Sequence, residues 1–276
     1  ATMLLLGGYL FFWPVDVQPE PWDAPKDAGY TGAFAPNDRL TALRFVDLDG
    51  RTGPEDADRG PDGRVYAATH DGEIVRIEPD DSISVFAQTG GRPLGIEFAE
   101  AGTLYVADAY RGLLAVDVQG RVTLLADTTT DGSPILFADD VDIAADGTVY
   151  FSDASTRFGA KASGGTLRGS VLDLMEHSAT GRVLKYDPTR GTTTVFADGL
   201  TFANGIAVSE EHESVLVAET GGYRVWRFPY DGAPGEVIID NLPGFPDNLN
   251  PAQDGTFWMG LVSPRNALMD RLSGRP

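Results

Sequence analysis

DGRVYAAT at residues 62–69 is a glycine turn running into an apolar strand centred on Tyr66. Four more segments repeat it: AGTLYVAD (101–108), DGTVYFSD (146–153), ESVLVAET (213–220) and DGTFWMGL (254–261). The centres are Tyr66, Tyr105, Tyr150, Leu216 and Trp258, so the steps are 39, 45, 66 and 42 residues. The step of 66 is an ordinary step plus an insertion, assigned to residues 155–180. A period near 40–45 residues is the mark of a β-propeller, whose blades are four-stranded sheets set around an axis.

The flanking segments supply the other strands. After each of the first four centres comes an alternating segment: GEIVRIEPD, GLLAVDVQG, GRVLKYDPT and YRVWRFPYDG. Period-two alternation ending in Gly, Pro or Asp is strand and turn chemistry. A third strand reads SISVFAQ, RVTLLAD and TTTVFAD. Ahead of each centre lies a short segment: EDADRG, LGIEF, DDVDIA, NGIAVS and DNLNPA. The expectation is an all-β protein, a six-bladed β-propeller of four-stranded blades. It has about four complete blades, half of a fifth and an N-terminal closing strand at 41–48 (TALRFVDL), and is truncated at the C-terminus. Edges left open by such a truncation favour association.

Composition narrows the partners. There are 41 acidic residues against 21 Lys and Arg, a net charge of −20. Nucleic-acid and anionic-membrane surfaces need a basic face, so both are excluded as general partners. A metal ion or a small uncharged organic substrate is favoured. The absence of cysteine removes disulfides, thiolate metal sites and a Cys nucleophile. No Gly-x-Ser-x-Gly elbow or phosphate loop is present.

Residues 1–15 are largely apolar but shorter than the ~20 residues of a spanning helix. They read as part of an N-terminal membrane anchor, the membrane contact being through this segment only and the propeller outside the cytoplasm. Residues 16–40 read as a Pro-rich linker or extended strap, and 41–276 as the propeller.

Counting back from each centre aligns Glu55, Leu94, Asp139, Asn204 and Asp247, at offsets of 11, 11, 11, 12 and 11. Equivalent positions of innermost strands face the channel at one height, and four of these five are oxygen donors. Three carboxylates held together raise one another's pKa unless a cation sits among them. Hard oxygen donors suit Ca²⁺. Asp140 and Asn248 can add oxygens or orient the others. The plainer alternative is polar residues lining a wet channel. His70 and His212 read as turn residues. His177 and Glu176 end an insertion whose LDLMEH can be a short helix, either a lid over the channel or a surface loop.

GPED (53–56), FADDVDI (137–143), FANGIAV (202–208), VLVAET (215–220), PGFPDNLNP (243–251) and LSGRP (272–276) resemble the strictosidine synthase-like and adipocyte plasma membrane-associated protein family of calcium propellers. Gluconolactonases and paraoxonases look like more distant kin. The likeness covers about residues 30–276. It implies Ca²⁺ at the channel mouth, held by Glu55, Asp139, Asn204, Asp247 and Asn248. Relatives usually carry Asn before Asp where this chain has Asp139-Asp140, and the added charge should hold the cation harder. The paraoxonase histidine pair has no counterpart in Val106–Tyr110, and the synthase glutamate belongs to a sixth blade. The favoured function is a Ca²⁺-dependent hydrolase of esters or lactones, with Asp139 or Asp247 as base. The alternatives are a non-catalytic, calcium-stabilised propeller that binds a partner, and a strictosidine synthase-type enzyme that forms C–N bonds.

Overall fold

The computed structural model describes residues 7–9, 15–252 and 255–275. Most of the expected anchor lies outside the described residues. Among them, no helix is long and apolar enough to cross a membrane.

The repeat pattern folds as five antiparallel sheets. The first holds β1 (Ala57–Arg59), β2 (Val65–Ala68), β3 (Glu73–Ile77) and β4 (Ile83–Gln88). The second holds β5 (Pro93–Phe98), β6 (Leu104–Asp108), β7 (Gly112–Val116) and β8 (Val122–Ala126). The third holds β9 (Ala138–Ile143), β10 (Val149–Asp153), β11 (Gly181–Asp187) and β12 (Thr192–Leu200). In the fourth are β13 (Ala203–Ser209), β14 (Ser214–Glu219), β15 (Arg224–Pro229) and β16 (Glu236–Ile239). The fifth has two strands, β17 (Gly244–Pro251) and β18 (Phe257–Pro264). The insertion after β10 carries α1 (Thr166–Glu176), which starts earlier than the LDLMEH segment, and α2 (Ala267–Leu272) follows β18.

The strands β1, β5, β9, β13 and β17 are successive neighbours, so the first strand of every sheet is innermost. The cores lie between blades. Tyr66 packs edge-on against Phe98 of the next blade, with ring centroids 4.9 Å apart. Tyr150 stacks on Tyr230 of the fourth sheet at 5.6 Å. Trp258, the fifth centre, has no such cover and is 61% exposed.

Thr41–Leu48 forms no strand. Its alternation is strand-like, but among the described residues no backbone hydrogen bond joins it to a strand, Arg44 reaches Asp81 of the β3–β4 turn only by its side chain (3.0 Å), and Phe45 is 88% exposed. Residues 15–27, the strap, run without helix or strand and are hydrogen-bonded to α1 and to Ser273. Gln18 N–H donates to Glu176 Oε2 (2.8 Å), Glu20 N–H to the Glu176 carbonyl (2.7 Å) and Trp22 N–H to the Ser273 carbonyl (3.0 Å). Pro19 and Pro21 fall between these donors, where no N–H is needed.

Blades approach closely where glycine allows it. A Cβ on Gly205 would stand 2.4 Å from the Asp247 carbonyl oxygen and 2.5 Å from the Leu249 nitrogen. A Cβ on Gly260 would meet only Asp247 Cβ, at 3.5 Å. Gly205→Ala is therefore expected to cost about 1–3 kcal/mol by overpacking, with the melting temperature falling by about 2–4 °C per kcal/mol. Gly260→Ala should leave it nearly unchanged. Equal melting of the two variants would contradict this account of blade contact.

Candidate functional site

Tyr66, Tyr105, Tyr150, Leu216 and Trp258 pair across to Asp58, Glu97, Asp142, Ala207 and Asn250. Glu55, Leu94, Asp139, Asn204 and Asp247 each precede those partners by three residues, so the five positions share one register. The offset of 12 at Asn204 comes from the 3-10 turn Glu210–His212, which lengthens that hairpin.

Four of the five inner strands are bulged at this level. Between Pro93 and Ile96, Ala138 and Val141, Ala203 and Ile206, and Pro246 and Leu249, two residues oppose one on the neighbouring strand. A bulge takes its extra residue out of the ladder and re-aims a side chain there, breaking the regular alternation. The first residue of each pair is the aligned position. The second is Gly95, Asp140, Gly205 or Asn248.

Asp140 shows the division. Its Oδ2 accepts from Ile206 N–H of the next blade at 2.8 Å, its Oδ1 from Val141 N–H at 2.9 Å, and its own N–H donates to Ser152 Oγ at 2.9 Å. Asp56 does the same for Ile96 N–H at 3.0 Å. Both are staples between blades. Asp140 is thus a positioning residue, with its oxygens already engaged.

The aligned residues remain turned to one another. Burial first, then the charges of Asp139, Asp56 and Asp247, hold the Glu55 carboxyl well above the usual carboxylate range. Burial, then Asp247 and Asp140, does the same to Asp139. Asp247 is raised by burial and held down by Asn204, whose Nδ2 donates to Asp247 Oδ1 at 2.7 Å. Asn248 Nδ2 reaches the Glu55 carbonyl at 3.4 Å. Glu55 Oε2, Asn204 Oδ1 and Asn248 Oδ1 are buried with no hydrogen-bond partner among the described residues. Three orphaned hard oxygens beside two further carboxylates fit a calcium-type donor set. As the side chains stand, no three acidic or imidazole groups among the described residues converge to ligand distance; two of the five donors are amides. Glu55, Asp247 and Asn248 border an open cavity of about 290 Å³ between β1 and the fifth sheet.

Leu94 supplies no oxygen and belongs to an apolar cluster with Phe137 and Phe202. The same blade contributes Arg92, which is 6% exposed and donates to the Gly53 and Pro93 carbonyls at 3.2 and 3.1 Å. Desolvation pulls its pKa down, and Glu55, Tyr110 and Asp139 oppose that shift. Its Nε is buried without a partner among the described residues.

A second set of acids aims the inner strands. Asp108 Oδ1 accepts from Arg92 N–H (2.9 Å), Asp153 Oδ1 from Phe137 N–H (2.8 Å) and Glu219 Oε1 from Thr201 N–H (2.9 Å). Each grips the backbone two or three residues ahead of an aligned position. All three stand three residues after a strand centre, at the ends of YVAD, YFSD and LVAE, so their register was a usable signal.

The histidines lie elsewhere. His70 is an exposed turn residue, and His212 lies 3.0 Å from Ser209 Oγ in the 3-10 turn. His177 caps α1 and stacks on Trp22 of the strap. Glu176 is tied to Arg157 and to the strap.

The family model of strictosidine synthase matches residues 139–232, and that of the strictosidine synthase-like N-terminal region matches 32–77. The adipocyte plasma membrane-associated protein of Salmo salar is 36% identical, over all of this chain and 72% of its own length. The chain belongs to the strictosidine synthase-like family. Solved propellers share the family's fold. A gluconolactonase from Xanthomonas campestris is 20% identical with a TM-score of 0.64, over 77% of this chain and 71% of its own. A calcium-binding protein, regucalcin, from Agrobacterium tumefaciens is 18% identical with a TM-score of 0.57, over 75% and 67%.

Deeper in the channel Asp58, Glu97 and Asp142 form a further acidic tier. Burial first, then Asp142, Asp58 and Asp56, pushes Glu97 up to about 9, and burial pushes Asp142 up to about 6. Both hold protons in the folded chain that the unfolded chain, with carboxyl pKa values of about 4, releases. Folding therefore loses stability as pH rises between about 4 and about 9. In excess chelator the melting temperature should fall from about pH 6 to about pH 9, and Glu97→Gln should flatten that slope. The same slope in both proteins would contradict the burial of this carboxyl.

Proposed function

We propose that the chain is a Ca²⁺-dependent hydrolase of esters or lactones working at the channel mouth. The observation that carries the reading is the group of orphaned oxygens on Glu55, Asn204 and Asn248, set beside Asp139 and Asp247. Glu55, Asp139, Asn204, Asp247 and Asn248 would hold the ion. A calcium ion bound there supplies positive charge that polarises a carbonyl and favours the oxyanion of a tetrahedral intermediate.

The protein's own part is to position and to move a proton. Asp139 is buried, whereas Asp247 borders the open cavity. Asn204 fixes Asp247 through Oδ1, and Oδ2 has no hydrogen bond among the described residues. That oxygen is the better placed to take a proton from an attacking water. Asp139 serves chiefly as a fixed charge. Pro54, Ala57 and the exposed Trp258 put apolar surface on the cavity beside Glu55 and Asp247, which suits a small uncharged organic substrate. Calcium in the regucalcin neighbour and lactone chemistry in the gluconolactonase neighbour support the same reading. The name of the Salmo salar relative supports membrane association; attachment through the N-terminal segment, with the propeller outside the cytoplasm, is the form of it we propose.

Phenyl acetate and a panel of γ-lactones should be hydrolysed with calcium and not with excess chelator. Asp247→Asn should lower kcat/KM by about 10²-fold or more. Turnover unaffected by chelator, or none on any of these substrates with calcium present, would overturn the reading.

A further inference from the structure

The strap borders a second cavity, of about 250 Å³, which shares no lining residue with the cavity beside the carboxylates. Its walls come from five separate stretches of chain. Trp22 comes from the strap, Leu174 and His177 from α1 and its cap, Tyr223 and Phe245 from the fourth and fifth sheets, and Met269 from α2.

The walls are mostly aromatic and pinned. Trp22 and His177 stack at 4.0 Å with planes 9° apart. Trp22 and Tyr223 lie 5.8 Å apart, and Tyr223 and Phe245 5.0 Å. The charges near these walls are already paired. Tyr223 Oη donates to Asp270 Oδ1 at 3.0 Å, and Arg265, which is ion-paired to Asp270 at 2.9 Å, lies over the Tyr223 ring. Exposed Glu20 and Arg275, one of each sign, stand at the rim.

His177 is the exception to this pairing. Its ring nitrogens have no hydrogen-bond partner among the described residues, although the ring is half-buried against the cavity. Burial holds its pKa down to about 4, so near neutral pH the imidazole offers one N–H donor and one nitrogen acceptor. Small-molecule sites commonly combine apolar and aromatic walls with a few fixed polar groups, in cavities from about 300 Å³ upward. This cavity is close to that lower bound.

We propose that the cavity bordered by the strap binds a small, flat, uncharged aryl molecule bearing one hydroxyl or carbonyl group, its ring held by Trp22, Tyr223 and Phe245 and its polar group by His177. The site needs no metal ion and is separate from the proposed hydrolysis. Because the strap is fastened to both α1 and Ser273, occupancy should also tighten its hold.

The test uses 2-naphthol and naphthalene as probes, titrated calorimetrically into the intact protein in excess chelator. The chelator separates this site from the carboxylate ring, so the two readings fail independently. The wild type should bind 2-naphthol saturably at one site, at least about fivefold more tightly than naphthalene. His177→Phe keeps the stack and removes the polar nitrogens. It should erase that preference while naphthalene still binds. Trp22→Ala should weaken both probes. No saturable binding of 2-naphthol, a preference that survives in His177→Phe, or binding that appears only with calcium would each overturn the proposal.

Discussion

One extra residue in each of four inner strands sets the geometry at the channel mouth. In a regular strand, successive side chains alternate between two faces. The bulges at 94–95, 139–140, 204–205 and 247–248 instead place two adjacent residues opposite one. Asp139 then remains among the ring carboxylates while Asp140 turns to the next blade's backbone. Gly95 and Gly205 hold the second position where a neighbouring inner strand comes too close for any side chain. Asp108, Asp153 and Glu219 then fix the approach of these strands by holding backbone N–H groups just ahead of the bulges.

The cost of this arrangement is electrostatic. Asp56, Asp58, Asp140 and Asp142 each accept a backbone N–H from the next blade, which offsets their burial. Glu55, Asp139 and Asp247 have much less help. Arg92 returns one positive charge beside them, and a divalent cation would return two more. Charge balance, from the acids, and the orphaned oxygens, largely on the amides, both support the ion proposed for this site.

The sequence carried the periodic features and lost the long-range ones. Strand centres recur because each fills the gap between blades, and the ring positions follow at a fixed offset. The bulges left no mark, since an extra residue in a short apolar segment looks like ordinary spacing. Arg92 was missed because it precedes the aligned position by two residues and replaces a ligand with a charge. Thr41–Leu48 had the right alternation but, among the described residues, no backbone hydrogen bond to a strand. Glu236–Ile239 was passed over as the fourth strand of its sheet, being short and exposed. Docking of the strap depends on contacts with Glu176, Asn241, Arg265 and Ser273, more than a hundred residues away along the chain.

The central claim of the proposal is that Glu55, Asp139, Asn204, Asp247 and Asn248 build one calcium site. Titration of the chelator-stripped protein with calcium, followed by calorimetry, tests it most directly. One ion should bind per chain, and Glu55→Gln and Asp139→Asn should each weaken it by about tenfold or more while magnesium competes poorly. Absence of calcium binding at millimolar concentration, or binding that both variants leave untouched, would contradict the account.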